Sequence, residues 1–102
     1  MQFRNLLVIA TLATSVSAAG YSWAYCQNLP SGTDDITSTA IVCNTMREQF
    51  NCDDCETRQA LLDPDHITKC TSSGKKIDPR EWASQCRAST QGQGGQRTGV
   101  GN

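Results

Sequence analysis

The chain has 102 residues, of which nine are Lys or Arg and ten are Asp or Glu, so its formal net charge at pH 7 is -1. This balance provides no basic stripe for a nucleic acid and no excess positive charge for a membrane-disrupting helix. A chain of this length forms one small domain, which has little room for a substrate cleft. We therefore expect no enzymatic activity, no catalytic residue and no nucleic-acid partner.

The first 18 residues have the organisation of a secretory signal peptide. Arg4 gives a basic start, residues 6–16 form a short apolar run, and Val16-Ser17-Ala18 is a small-residue cleavage pattern. The apolar run is too short to span a membrane, and no other apolar segment follows it, so we expect no membrane partner. Cleavage after Ala18 places the remaining chain in an oxidising extracellular compartment.

The segment 19–31 opens the predicted domain with alternating aromatic residues. Tyr21, Trp23 and Tyr25 recur with a period of two, which predicts a short N-terminal strand. The same three residues are a possible binding surface, because exposed aromatic side chains are frequent interface anchors. The alternative is that they pack inward and complete a thin core. Residues 29–32 predict a turn.

The segment after this turn favours a helix. Its apolar side chains recur with a period near 3.6 residues, and an aspartate before them can cap the first turn; these residues are Ile36, Ala40, Cys43, Met46 and Phe50, after Asp34 or Asp35. Residues 36–42 are also rich in β-branched side chains, so a strand is the alternative interpretation of that run.

A second helix is predicted over residues 54–62. Its first turn is acidic, which suits the positive end of a helix dipole. Asp63-Pro64 ends it, because the residue before a proline avoids the α region. Asp65 can then cap one further helical turn that reaches Cys70.

The clearest local signal is the run Asp78-Pro79-Arg80-Glu81. Aspartate at N-cap, proline at N1 and glutamate at N3 form a capping box. They predict a helix that ends near residue 87. Trp82 and Cys86 lie four residues apart and therefore share one face of this helix, which we expect to point inward.

Residues 88–102 contain five glycines and three glutamines but almost no large apolar side chain. This composition predicts a disordered tail. The predicted organisation is a signal peptide at 1–18, a disulfide-stapled domain at 19–87 and a disordered tail at 88–102. The fold class is a small disulfide-rich α+β or α-rich domain with a short N-terminal strand and two or three short helices.

Six cysteines in an exported chain of this size predict three disulfides; they are Cys26, Cys43, Cys52, Cys55, Cys70 and Cys86. The thin core supplies only roughly 3–5 kcal/mol, and each disulfide adds about 2–4 kcal/mol, so we expect the disulfides to decide folding. Six cysteines allow 15 pairings. We pair Cys26 with a C-terminal cysteine, and we expect Cys52 and Cys55 to reach different partners because they bracket a helix start.

Two other uses of the cysteines are weaker interpretations. Cys52, Cys55, Cys70 and Cys86, with His66 as an alternative ligand, resemble a four-thiolate zinc site. The second pair lacks the tight spacing of such sites, and secretion favours oxidation, so we expect no metal and no cofactor. Redox catalysis by Cys52-x-x-Cys55 is opposed by the acidic residues between and after the two cysteines.

The signal peptide, the Tyr25-Cys26-Gln27 entry, the six-cysteine body of fewer than 90 residues and the polar tail resemble small secreted cysteine-rich proteins of filamentous ascomycete fungi. Many of these are effector candidates, including the biotrophy-associated secreted proteins of plant pathogens. Several members carry a second cysteine two residues after the first, where this chain has Asn28.

The resemblance implies a secreted effector-like monomer, located in the host apoplast or interfacial matrix, that binds a host or other extracellular protein or a cell-wall glycan without catalysis. A hydrolase inhibitor that presents residues 71–76 is one alternative. The other is a cell-wall carbohydrate-binding module that uses Tyr21, Trp23 and Tyr25.

Overall fold

The computed structural model of the protein describes residues 20–89 and 96–102, so the predicted signal peptide lies outside the described residues. The elements in chain order are β1 (Trp23–Leu29), α1 (Ile36–Gln49), β2 (Glu56–Arg58), a 3₁₀ turn (Ala60–Leu62), β3 (Lys69–Thr71), α2 (Pro79–Ala88) and β4 (Gln96–Gly101). The four strands form one antiparallel sheet in the order β2-β3-β1-β4.

Strand β1 lies within the segment whose alternating aromatic residues predict a strand. Ala24 and Cys26 are fully buried, whereas Trp23 and Tyr25 are half-buried on the opposite face. The strand pairs with β3 at its start and with β4 along six residues, from Ala24 opposite Gly101 to Leu29 opposite Gln96. It is therefore a central strand, and its two faces have different surroundings.

The run 36–42 is helical and forms the first part of α1. Asp35 caps the helix, and its carboxylate accepts hydrogen bonds from the Ser38 backbone N–H and hydroxyl, both at 3.0 Å. The buried side chains of α1 recur at helical spacing, and the Cys26 backbone N–H donates to Thr39 Oγ1 at 2.9 Å. The cap and this packing on β1 outweigh the strand preference of the β-branched residues.

The helix predicted over residues 54–62 is wrong, because this segment contains β2 and the 3₁₀ turn. Its acidic start does not serve a helix dipole. The Asp54 carboxylate instead accepts hydrogen bonds from Ser72 Oγ at 2.6 Å and from the Gly74 backbone N–H at 2.7 Å. The next three residues after Cys55 pair with β3.

The helical turn predicted from Asp65 to Cys70 is also wrong. The Asp63 carboxylate accepts hydrogen bonds from the Asp65 and Ile67 backbone N–H groups, and His66 has a positive φ of 58°. A non-glycine residue in this left-handed region interrupts a right-handed helix. The chain therefore turns at His66 and enters β3, where Cys70 is fully buried.

The helix predicted from the capping box is confirmed as α2. Asp78 is its N-cap and accepts hydrogen bonds from the Arg80 and Glu81 backbone N–H groups at 2.9 and 3.2 Å. Trp82 and Cys86 are both fully buried, as their shared face predicts. The Trp82 indole N–H donates to the Tyr25 carbonyl at 3.1 Å, which joins α2 to β1.

The disorder predicted for residues 88–102 is wrong for residues 96–101, which form β4, so the folded domain extends beyond residue 87. Gly99 and Gly101 lie opposite Cys26 and Ala24 and share their buried face. A Cβ atom at Gly99 would lie 2.7 Å from Trp82 Cδ1, and one at Gly101 would lie 2.2 Å from the Tyr21 ring. These glycines therefore permit close packing, whereas the glycine content of the segment predicts disorder.

We expect Gly99→Ala to lower the free energy of unfolding by about 1–3 kcal/mol, because the added methyl group overpacks the contact with α2. Besides Trp82, the new Cβ would meet the Ala83 Cα at 2.9 Å, and backbone cannot move aside as a side-chain end can. Urea denaturation measures the change. Thr98→Ala is the control, since Thr98 faces the other side of the sheet, and it should cost about 1 kcal/mol or less. Equal midpoints for the two variants and the wild type would contradict the packing of Gly99 against α2 and would support a disordered tail.

The six cysteines form three disulfides, which are Cys26–Cys86, Cys43–Cys70 and Cys52–Cys55. The pairing of Cys26 with a C-terminal cysteine is confirmed, and it ties β1 to α2. The expectation that Cys52 and Cys55 reach different partners is wrong. These two residues do not bracket a helix start, and the chain folds back between them so that the Cys55 backbone N–H donates to the Cys52 carbonyl at 3.1 Å. Within 20–89 and 96–102, neither helix is long and apolar enough to cross a bilayer.

Candidate binding face

The structure separates the three aromatic residues that the sequence groups together. Tyr21 precedes β1, packs against the core, and donates its backbone N–H to the Ile77 carbonyl at 2.8 Å. Trp23 and Tyr25 lie together on the other side of β1, where their rings stack with centroids 6.2 Å apart and planes 11° apart. Two members of the predicted surface are therefore adjacent, and the third is part of the packing.

Trp23 and Tyr25 belong to one sheet face, which we call the outer face. The strand register gives it residues from all four strands, namely Trp23, Tyr25, Gln27 and Leu29 of β1, Glu56 and Arg58 of β2, Lys69 and Thr71 of β3, and Gln96, Thr98 and Val100 of β4. The disulfides of Cys26 and Cys70 to α2 and α1 place both helices on the opposite, inner face. Neither α1 nor α2 covers the outer face, and the turn with Asp63 and Asp65 lies against Lys69 at one side of it.

A buried lysine fixes the position of the Trp23 ring. Lys69 Nζ lies 4.4 Å from the centroid of this ring, within the range of a cation–π contact. The same ammonium lies 3.2 Å from Asp63 Oδ2 and 3.0 Å from Asp65 Oδ2, and only 7% of the Lys69 side chain is exposed. The ring therefore stands against a cation that two carboxylates hold in place.

The surroundings of Asp63 and Lys69 favour the charged form of both groups. Burial acts to raise the pKa of Asp63, but hydrogen bonds from the Ile67 N–H, the Lys69 ammonium and the Asp65 N–H outweigh it, so the pKa is lowered. Burial acts to lower the pKa of Lys69, but its bonds to Asp65 and Asp63 outweigh it, so this pKa is raised. Both shifts favour the charged forms and therefore the ion pair between Asp63 and Lys69.

A cleft of about 440 Å³ opens beside Trp23. Its walls combine this indole with the charged groups of Arg58 and Asp65 and with the hydroxyl-bearing side chains of Ser22 and Ser73. The Arg58 guanidinium donates through Nε to the Leu62 carbonyl at 3.0 Å, which holds the wall formed by β2 against the 3₁₀ turn. An aromatic surface next to donors and acceptors can bind a ligand that has both apolar and polar groups.

The loop 71–76, the candidate inhibitory segment, is exposed at its tip and fixed at its base. The Asp54 carboxylate receives hydrogen bonds from the Ser72 and Ser73 hydroxyls and from the Gly74 N–H. Lys76 Nζ lies 2.7 Å from Asp53 Oδ1. Lys75 at the tip has a positive φ of 54°, so the loop is rigid but its tip is not an extended strand.

The zinc set that the sequence indicates is not assembled. Cys86 is bonded to Cys26, away from the Cys52–Cys55 pair, and His66 is exposed in the turn before β3. Sequence reasoning missed Asp63 and Lys69 as supports of Trp23. The sequence contains one signal for this ion pair, which is the spacing of four residues between Asp65 and Lys69. That spacing is typical of a pair on a helix, whereas Asp65 lies in a turn and Lys69 in a strand.

Comparison with protein-family models, with curated proteins and with solved structures gave no match.

Proposed function

We propose that this protein is a secreted, non-enzymatic binding protein that acts at a host or other extracellular interface through its outer face. The observation that carries the proposal is the stacked pair of Trp23 and Tyr25 on the sheet face that no described helix covers. Aromatic residues are the commonest anchors of protein interfaces. The ring of Trp23 is already held by Lys69, so little side-chain freedom is lost on binding.

The covalent framework supports an extracellular role. Three disulfides in a small domain with no free cysteine among the described residues are compatible with an extracellular protein. The resemblance to secreted fungal effector candidates points in the same direction. Recovery of the protein from culture fluid with an N-terminus at Ala19 and three disulfides by intact mass would test secretion itself.

Two other functions have a specific observation in their favour. The cleft beside Trp23 combines an indole with hydroxyls and carboxylates, which are the groups that a cell-wall carbohydrate-binding module needs. The rigid base of the loop 71–76 favours an inhibitor of extracellular hydrolases. The left-handed conformation of Lys75 argues against the second, because peptides that bind by strand pairing are extended.

The central test compares retention of wild type, Trp23→Ala and Ile41→Ala. Ile41 is an exposed apolar residue of α1, on the helical side of the molecule, and serves as the matched control. Each protein is offered to insoluble chitin and β-glucan and, separately, to immobilised proteins of host extracellular fluid. We expect Trp23→Ala to lose about 2 kcal/mol, or roughly 30-fold in affinity, toward whichever material retains wild type.

The outcomes separate the candidates. Retention on a glycan supports the carbohydrate-binding module, and retention on proteins supports the effector-like function. Equal retention of Trp23→Ala and wild type excludes the outer face as the binding surface. Inhibition of extracellular proteases that Lys75→Ala abolishes, together with unaffected inhibition by Trp23→Ala, would favour the inhibitor instead.

A further inference from the structure

Two of the three disulfides lie side by side. The sulfur atoms of Cys43, Cys55 and Cys70 are all within 4.8 Å of one another, and Cys52 is bonded to Cys55. Three separate elements bring them together, because Cys43 is in α1, Cys70 is in β3, and Cys52 and Cys55 are in the loop before β2. All four residues are at most 2% exposed. The fold therefore gathers four sulfur atoms into one buried cluster, which we call the sulfur cluster.

The sulfurs of Cys43, Cys55 and Cys70 lie within 4.8 Å of one another, which is close to the spacing in a tetrahedral thiolate site, and Cys52 joins them through its bond to Cys55. Zinc binds four cysteine sulfurs at about 2.3 Å, which separates the sulfurs by about 3.8 Å. A disulfide holds its two sulfurs about 2 Å apart. After reduction, each bonded pair has to separate by about 2 Å in total, which side-chain rotations supply, while the two pairs already lie within reach of a common ion.

A cavity gives access to the sulfur cluster. It has a volume of about 180 Å³, and its walls include Cys43, Cys55, Arg47 and Glu56. A small reductant or a metal ion can therefore approach both disulfides from solvent. The Arg47 guanidinium at this opening favours the thiolate forms that bind metal, and the negative charge of Glu56 attracts a divalent cation.

We propose that reduction converts the sulfur cluster into a tetrahedral zinc site with Cys43, Cys52, Cys55 and Cys70 as its ligands. Each disulfide accepts two electrons from a thiol or phosphine reductant and two protons from solvent, which gives two thiols. The four thiols release four protons as they bind one Zn²⁺. The protein then has a disulfide form in an oxidising compartment and a metal form in a reducing one.

This ligand set differs from the one that the sequence alone indicates. Cys43 replaces Cys86, because Cys86 lies with Cys26 between β1 and α2. The difference provides a sharp test. The double variant Cys26→Ala/Cys86→Ala keeps four cysteines and the whole sulfur cluster. The double variant Cys26→Ala/Cys43→Ala also keeps four cysteines, but it loses one member of the cluster.

The experiment uses full-length mature protein reduced with a trialkylphosphine, which becomes the phosphine oxide, under anaerobic conditions. Co²⁺ is titrated as a spectroscopic probe, and Zn²⁺ is then added in competition. For wild type and Cys26→Ala/Cys86→Ala we expect one Co²⁺ per chain with the visible bands of a tetrahedral four-thiolate site. For Cys26→Ala/Cys43→Ala we expect affinity lower by more than about 100-fold, since removal of a ligand should exceed the loss caused by a second-shell change.

Circular dichroism during the titration reports whether metal restores the fold of the reduced chain. A gain of native-like signal with the first equivalent of Co²⁺ in Cys26→Ala/Cys86→Ala supports the proposal, even where the metal-free reduced chain is unfolded. Equal affinities for the two double variants would overturn it, since any four thiols would then suffice. The absence of a tetrahedral spectrum in reduced wild type would overturn it as well. Oxidised wild type should bind no Co²⁺ at the cluster.

Discussion

Removal of the Cys26–Cys86 disulfide by a double change to alanine is expected to lower the free energy of unfolding by about 4 kcal/mol. The bond joins residues 60 positions apart, from β1 to α2, and so closes the longest loop of the three. Restriction of the unfolded chain grows with the logarithm of loop length. The same relation gives about 3.6 kcal/mol for Cys43–Cys70 and about 2 kcal/mol for Cys52–Cys55, whose separations are 27 and 3.

The measurement is urea denaturation of three oxidised double variants, each of which lacks one disulfide. We expect the stability losses to follow the order of the sequence separations, with the Cys52–Cys55 variant nearest to wild type. For a small domain, a loss of about 4 kcal/mol is a large part of the total stability. The Cys26–Cys86 variant should therefore be partly unfolded at about 37 °C. A Cys52–Cys55 variant that is the least stable of the three would show that native-state packing, and not loop closure, dominates.

Arg97→Met is expected to destabilise the protein by about 3–5 kcal/mol, because it leaves a buried carboxylate without its cation. Arg97 is 4% exposed and Asp35 is 7% exposed, and Arg97 Nε contacts Asp35 Oδ2. The guanidinium also donates to the Ser89 carbonyl. This ion pair joins β4 to the N-terminus of α1, so it holds the strand that composition alone assigns to a disordered tail.

The pH dependence of the stability deficit of Arg97→Met shows whether it comes from the lost charge or from lost packing. Burial acts to raise the pKa of Asp35, but hydrogen bonds from Ser38 and Arg97 outweigh it, so the pKa is lowered in the folded protein. A lowered pKa contributes stability above the unfolded value of about 3.9, and that contribution is lost as the pH falls through the folded value. Without the Arg97 cation, its hydrogen bond and its charge no longer lower the pKa of Asp35, so this pKa should be higher than in the wild type. The deficit of Arg97→Met should therefore shrink between pH 7 and about pH 3 as Asp35 becomes protonated.

Denaturation curves at several pH values measure this difference. Arg87→Met is the matched control, because Arg87 is exposed at the end of α2 and its replacement should change stability by no more than about 1 kcal/mol. A deficit for Arg97→Met that is independent of pH would mean that the alkyl contacts of Arg97 matter more than its charge.

The parts of the fold that sequence predicts are those with a local cause. The capping box at Asp78 and the helical period of the buried residues in α1 both act within a few residues, and both give the expected helix. The cause of β2 lies elsewhere in the chain, since Asp54 is used by the loop 71–76. No pattern within residues 54–62 carries that information.

The candidate binding face also combines a feature with a local cause and features whose cause lies elsewhere in the chain. The alternation of Trp23 and Tyr25 is visible in the sequence, and the two rings do share a face. The cation that holds Trp23 comes from β3, and its two carboxylates come from the turn before β3. These groups meet through strand pairing, so the residues around an aromatic anchor could not be predicted from the segment that contains it.

The pairing of β1 with β4 has a consequence for biosynthesis. Ala24 lies opposite Gly101, so the first strand to be made finds this neighbour only after more than 70 further residues have been added. Contacts of such large sequence separation form slowly. During translation the nascent β1 strand therefore has an unpaired hydrogen-bonding edge and two bare aromatic rings, which makes it prone to association with other chains.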